Sequence, residues 1–253
     1  YEKAPVADLA NMTVWRMAKA DDGTGNPENN GYPVLIAVDG EGFEQDGTTP
    51  TTTMQKATDW AQVGAWVETF DPTTPAYGTS GTTTKIKPAP LADTFTITTP
   101  EGLAWFAYKA SIAPASETIS AGSTKHYSDV PVKLGNDIDL LGDTYGGSVD
   151  STEISAAAKY AGALDWSPIN QNTPDFDGQG HTVDHLYINA PTKDYQGLIG
   201  KTDGGDIRNT SIGSEGYVHG NNNVGALAGY HGGTITNCSN AAEVAGEGGN
   251  IGG

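Results

Sequence analysis

From Leu164 onward, short apolar strands alternate with glycine-marked corners, and the pattern repeats. Gly204-Gly205-Asp206-Ile207-Arg208-Asn209 returns 28 residues on as Gly232-Gly233-Thr234-Ile235-Thr236-Asn237. Ahead of each copy stands a small apolar patch, Gly197-Leu198-Ile199-Gly200 and then Gly225-Ala226-Leu227-Ala228-Gly229, and a third copy opens at Asn250-Ile251-Gly252-Gly253. A fixed period of this size predicts a solenoid, in which each repeat buries its apolar face only against its neighbours. Aligning His181–Ile188 with Gly205–Ile212 at an offset of 24 sets Val183 opposite Ile207 and Ile188 opposite Ile212. Apolar residues stacked in this way form the core of a parallel β-helix, whose coils rise by about 4.8 Å each.

The preceding segments predict a mixture of strand, loop and one strong helix. Phe95–Thr98 alternates as a strand. Thr99–Ala110 reads as a helix: Thr99 is a natural N-cap, Pro100 suits the first helical position and Glu101 favours the N-terminus. Its Leu103, Phe106, Ala107 and Ala110 fall on one face, so the helix would cover the first coil and block edge pairing. Val130–Leu134 and Asp137–Leu140 follow as short strands, and 142–162 as an excursion with a helical stretch at Ser151–Tyr160. Thr58–Phe70 fits either a helix, capped by Thr58 or Asp59 and spaced by Trp60, Val63 and Val67, or a strand. Near the front, Thr13–Met17 reads as a short strand and Gly31–Val38 as a turn followed by a buried strand, while 21–30 and 71–93 read as loops and 40–53 as a Gly-, Thr- and Pro-rich linker or long loop. The resulting division is a closing segment of a β-helix unit at 1–43, a linker or small lobe at 44–92, and a solenoid at 93–253 with its cap helix and an open C-terminal end.

Composition agrees with an all-β chain. Thr, Val, Ile and Tyr favour strands, and the 34 glycines suit tight corners between short ones. The net charge of −18 opposes nucleic acid and anionic membranes as partners, and it suits a soluble extracellular assembly. A single cysteine, Cys238, permits neither an intrachain disulfide nor a zinc cluster. No run of about 18 apolar residues predicts a membrane helix. The opening at Tyr1, without a basic-then-apolar leader, reads as a processed product, an excised piece or a window on a longer polypeptide.

Five motifs in order resemble the GLUG-motif family of bacterial surface proteins: Thr96–Ala104, Leu134–Leu140, Trp166-Ser167-Pro168-Ile169, Phe176–Val183, and the pair Val224–Gly229 with Ile235–Cys238. The resemblance covers about 95–253. It implies a right-handed parallel β-helix at the cell surface, in adhesins and stalks, and it transfers no catalytic residue. Trp15 and Asn30–Leu35 resemble the element that closes a unit of that family, here standing at the front.

Candidate chemistry is sparse. His181 and His185, four apart on a predicted strand, share a face, but Asp177 and Asp184 are the only nearby acids and no metal site is expected. Asp137 and Asp139 would share an outer face about 7 Å apart, where glycan chemistry or calcium binding would be sought, against the plainer reading of a solvated strand face. Asp175 and Asp177 repeat that arrangement. Cys238 is expected as a small buried residue, and Asn209 and Asn237 as rungs of an asparagine ladder that also accounts for their sequon-like triplets. The expected function is therefore a non-enzymatic, cofactor-free subunit or module of an extracellular fibre, stalk or adhesin. It would assemble with copies of itself or adjacent modules, with Val14, Trp15, Val34 and Leu35 completing the open coil at Ile251 and Gly252. Surface glycans are the second candidate partner. The alternative is a carbohydrate-binding or carbohydrate-cleaving β-helix using Trp105, Trp166 and Tyr187, with Asp137 and Asp139 as acids.

Overall fold

The computed structural model describes strands at 15–17, 33–35, 37–38, 41–43 and 50–51, and then residues 57–69, 90–91, 94–111, 116–120, 123–142, 145–170 and 174–253. The chain divides into two compact units, Tyr1–Lys56 and Ala57–Gly253. In the first, β1 (Trp15–Met17) pairs antiparallel with β2 (Pro33–Leu35), setting Trp15 opposite Leu35 and Arg16 opposite Val34. Strands β3 (Ala37–Val38), β4 (Glu41–Phe43) and β5 (Pro50–Thr51) form an antiparallel meander. Trp15, Val34 and Leu35 thus sit in one antiparallel ribbon, while Val14 and most of the loops read at 21–30 and 71–93 lie outside the described residues.

The second unit is mostly β-strand in parallel sheets with few helices, an all-β fold. It runs α1 (Trp60–Thr69), β6 (Pro90–Leu91), β7 (Thr94–Ile97), α2 (Pro100–Ser111), β8 (Ser116–Ser120), β9 (Ser123–His126), β10 (Val132–Leu134), β11 (Ile138–Asp139), α3 (Ala156–Lys159) and β12 (Ile169–Asn170). Then follow β13 (Phe176–Asp177), β14 (Thr182–Asp184), β15 (Tyr187–Asn189), β16 (Ile199–Thr202), β17 (Asp206–Arg208), β18 (Ser211–Ile212), β19 (Tyr217–Gly220), β20 (Val224–Gly225) and β21 (Ala228–His231). The last are β22 (Thr234–Thr236), β23 (Ser239–Asn240), β24 (Glu243–Gly246) and β25 (Ile251–Gly252).

Pairing joins strands of successive passes of the chain. One sheet runs β22-β17-β13-β10-β7-β6, parallel except for its outer β6–β7 pair. The others are β11-β14-β18-β23, β12-β16-β21, β15-β19-β24 and β20-β25, all parallel. Only β8–β9 forms a separate antiparallel pair in this unit, among the described residues. Parallel strands cannot be joined by a hairpin, and each parallel sheet takes its strands from separate stretches of the chain with strands of other sheets between them. Side chains consequently stack in columns: Phe95, Val132, Phe176, Ile207 and Ile235 form one, and Ile188, Val218 and Val244 another. All but the last member of each column are buried.

The register corrects the 24-residue alignment. Ile207 lies opposite Phe176, Val183 opposite Ile212, and Ile188 opposite Val218. The cause is a turn between β13 and β14, where Gln179 and Gly180 both take the left-handed region at φ 55° and 87°. That pass carries two more residues at this corner than the next, so the hydrophobic pattern matches best one corner out of step. The 28-residue repeat stands: Ile207 faces Ile235 and Asp206 faces Thr234.

Thr99 caps α2 as predicted, its Oγ1 accepting from the Gly102 N–H at 3.0 Å. The helix is buried on more than the predicted face, taking in Gly102, Ala104, Trp105 and Lys109 as well. Phe95 and Tyr127 pack against Trp105 on one side, and α1 lies on another. At Gly64 of α1 an added Cβ would stand 2.4 Å from the Ala104 carbonyl oxygen, so only glycine permits this approach. Within the stretch read as helix or strand, Trp60–Thr69 is helix, begun by Asp59, whose Oδ1 accepts from the Gln62 N–H (2.8 Å) while Gln62 Oε1 accepts from the Thr58 N–H (2.9 Å). Trp60 anchors it, donating its indole N–H to the Leu140 carbonyl at 3.1 Å. Within the excursion the helical stretch shrinks to Ala156–Lys159, begun by Ser155.

Candidate functional site

The outer face of the sheet β11-β14-β18-β23 brings together the two acids and two histidines singled out separately by the sequence. With Ile138 opposite Val183, His181 Nδ1 lies 3.1 Å from Asp137 Oδ1 and His185 Nδ1 lies 2.8 Å from Asp139 Oδ1. Both carboxylates are exposed. His185 reaches its partner from a left-handed corner at φ 51°, where the strand ends. The Thr182 N–H, then the His181 ring, hold the Asp137 carboxyl below its ordinary range. Each acid is thus tied to its own imidazole, a different arrangement from a free carboxylate pair facing a bound sugar. No group of three or more His, Cys, Asp or Glu among the described residues could hold a metal ion.

Asp177 departs from the reading of a solvated face. It is buried at 5 % exposure, and five N–H donors converge on it and on Asp175. Arg208 binds Asp177 through Nε and Asp175 through a terminal nitrogen, both at 3.0 Å. Asp177 Oδ1 also accepts from the Gln179 N–H and the Asn209 amide, each at 3.0 Å. Burial pulls its pKa up, but the Asn209 amide, the Gln179 N–H and Arg208 together bring it below the ordinary value. The predicted asparagine ladder continues outward: Asn237 Nδ2 donates to Asn209 Oδ1 at 2.8 Å, and both residues occupy the left-handed region that asparagine tolerates. A second ladder, Asn250 Nδ2 to Asn223 Oδ1 at 3.0 Å, runs along another corner. Cys238, half-buried beside the first ladder, donates to the Thr236 carbonyl.

The three aromatics suggested for an outer glycan platform are inside. Trp105, Trp166 and Tyr187 are 4 %, 3 % and 9 % exposed. Trp166 satisfies its indole N–H on the Leu198 carbonyl at 3.1 Å. Tyr187 stands in a stack with Tyr160 and Tyr217, at centroid spacings of 5.5 and 6.1 Å. Sequence reading missed this stack and the Arg208 clamp; the signal available was the recurrence of Tyr187 as Tyr217 in the paired strand.

The final pass is the most exposed part of the ladders. Ile235 and Ile251 are 52 % and 40 % exposed although they head apolar columns, and Gly252 pairs only with Gly225 among the described residues. Among the described residues, β22, β23, β24 and β25 each pair on one side only.

Several surface carboxylates titrate low for the same reason. Asp175 is held down by the Asp206 N–H, then Arg208, and Asp194 by the backbone and side chain of Asn222. An acid whose folded pKa lies below its unfolded value stabilises the fold above the unfolded pKa, and that stability is lost as pH falls through the folded value. Asp165 runs the other way, raised by burial, so its contribution weakens as pH rises. With Asp137, Asp175, Asp177 and Asp194 opposing it, the melting temperature is expected to fall on acidification below about pH 4. Thermal melts between neutrality and about pH 2.5 check this; a melting temperature that holds or rises across that range contradicts it.

No family model matches the chain, and neither a curated protein nor a solved structure matches it. No helix among the described residues is long and apolar enough to cross a membrane.

Proposed function

We propose that residues 93–253 form a right-handed parallel β-helix of the GLUG-motif type, and that the chain is a structural module of an extracellular bacterial fibre, stalk or adhesin. The observation that carries this reading is the recurrence of the same parallel sheets along the chain, with paired residues from 26 apart (Val218 and Val244) to 45 apart (Ile138 and Val183). A chain that winds in this way makes a rod: its length grows with each pass while its cross-section stays fixed. Two asparagine ladders run along the corners and add side-chain bonds in the same direction as the backbone ladders. Handedness and surface location come from the resemblance in the five motifs.

The exposed edge of β22 to β25 is the assembly element of this proposal. A further pass, from the same polypeptide or a second copy, would bury Ile235 and Ile251 and pair their strands. A head-to-tail contact of that kind is heterologous and propagates unless it closes into a ring. The chain's large negative charge discourages lateral clumping of such rods. Electron microscopy of native surface material is the test. Thin filaments or stalks with a regular subunit rise support the proposal, and isolated compact particles contradict it.

A further inference from the structure

We infer that Tyr195 and Tyr230 form a binding platform for a neutral glycan, beside the sheet of β12, β16 and β21. Five large apolar side chains stand exposed among the described residues: Ile154, Tyr195, Tyr230, Ile235 and Ile251. Ile235 and Ile251 belong to the last pass, and Ile154 lies in the excursion. The two tyrosines meet each other edge to face, with centroids 6.3 Å apart and planes at 89°. They come from different passes, Tyr195 from the turn before β16 and Tyr230 from β21, so only the pass-to-pass register brings them together.

Tyr195 also holds a conformation that its residue type disfavours. Its φ is 59°, and a bulky side chain is an outlier there. Asn223 and Asn250 occupy the same corner in the next two passes at φ 56° and 61°, joined by their amide bond. The backbone bonds fix the equivalence: Gln196 N–H donates to the Asn223 carbonyl, as Val224 N–H does to that of Asn250. An asparagine at 195 would relieve the strain and extend the ladder by one rung. Stability therefore does not account for the tyrosine, and strained residues gather where a side chain has a task. Gln179 and His185 share the conformation, but His185 has Asp139 as its partner, whereas the Tyr195 ring faces solvent and Tyr230.

The surroundings match a sugar. The Lys201 ammonium lies 5.8 Å from the Tyr230 ring centroid and 3.3 Å from Asp203 Oδ1, and Asn170 pairs with Lys201 across the sheet. A pyranose has an apolar C–H face for the rings and a rim of hydroxyls for an ammonium, a carboxylate and an amide. Tyrosine suits such a place because it offers an apolar body at low conformational cost. The chain's net charge of −18 disfavours polyanionic glycans, which leaves neutral ones.

The test uses the whole chain in affinity electrophoresis against glucomannan, xyloglucan, mixed-linkage β-glucan and a soluble β-1,4-linked N-acetylglucosamine oligomer. Decaproline serves as the peptide probe. At least one glycan should bind, and Tyr195→Asn and Tyr230→Ala should each weaken binding about tenfold or more. Tyr195→Asn should leave the melting temperature unchanged or higher, which separates loss of the ring from loss of the fold. Absence of binding across the glycans, undiminished binding in both variants, or capture of decaproline alone overturns the proposal.

Discussion

Phe176→Ala is expected to destabilise the second unit by about 3–5 kcal/mol, the range for truncating a large buried aromatic. Phe176 is fully buried, in the middle of the column between Val132 and Ile207. Its removal leaves a hole that neighbours in fixed ladders cannot close, because their backbones are held in register above and below. For a unit of this size the loss corresponds to a fall in melting temperature of about 10 °C. Phe176→Leu, which keeps most of the volume, should cost markedly less. Thermal melts followed by circular dichroism decide the matter, and an alanine variant that melts within about 2 °C of the parent removes Phe176 from the core.

Asp177→Ala is the second large effect. The carboxylate is buried, and it satisfies Arg208, Asn209 and the Gln179 N–H together. Its deletion leaves a part-buried guanidinium with one remaining acid, Asp175, and frees the inner end of the asparagine ladder. Breaking a buried charge pair costs about 3–5 kcal/mol, but Arg208 keeps a third of its side chain in solvent, so about 2–3 kcal/mol is expected. Asp177→Asn retains an acceptor oxygen for the Gln179 N–H and the Asn209 amide but loses, with the charge, the Oδ2 that accepts from Arg208 Nε, so it should fall between parent and Asp177→Ala. If the asparagine variant is the less stable of the two, the hydrogen bonds assigned to this carboxylate are wrong.

The parts of the fold that were legible in the sequence are those set by local chemistry. Thr99, Pro100 and Glu101 announce a helix because capping needs only neighbouring residues. The 28-residue recurrence of Asn209 as Asn237 gave the ladder, because a rung repeats its residue type. Register was legible only where passes have equal length. The extra turn at Gln179 and Gly180 lengthens one pass, and the pattern then matched the wrong strands. The site suffered the same limit. Asp137, Asp139, His181 and His185 were all singled out, yet their pairing depends on β11 lying beside β14, a relation across 44 to 46 residues. The sequence reading assigns Trp105, Trp166 and Tyr187 to an outer face, but all three are buried. Inside, the Trp166 N–H is met by a carbonyl and the Tyr187 ring stacks with Tyr160 and Tyr217, which composition cannot foretell.

Disulfide trapping tests the stacked passes most directly. In a Cys238→Ser background, Ser211→Cys with Ser239→Cys places two thiols on residues that face each other in β18 and β23. Thr182→Cys with Ser239→Cys places them two strands apart, with β18 between, at about 10 Å and beyond disulfide reach. The account predicts that mild oxidation of the folded protein crosslinks the first pair and leaves the second as free thiols. Free thiols in the first pair of a folded chain, or crosslinking of the second, would contradict it.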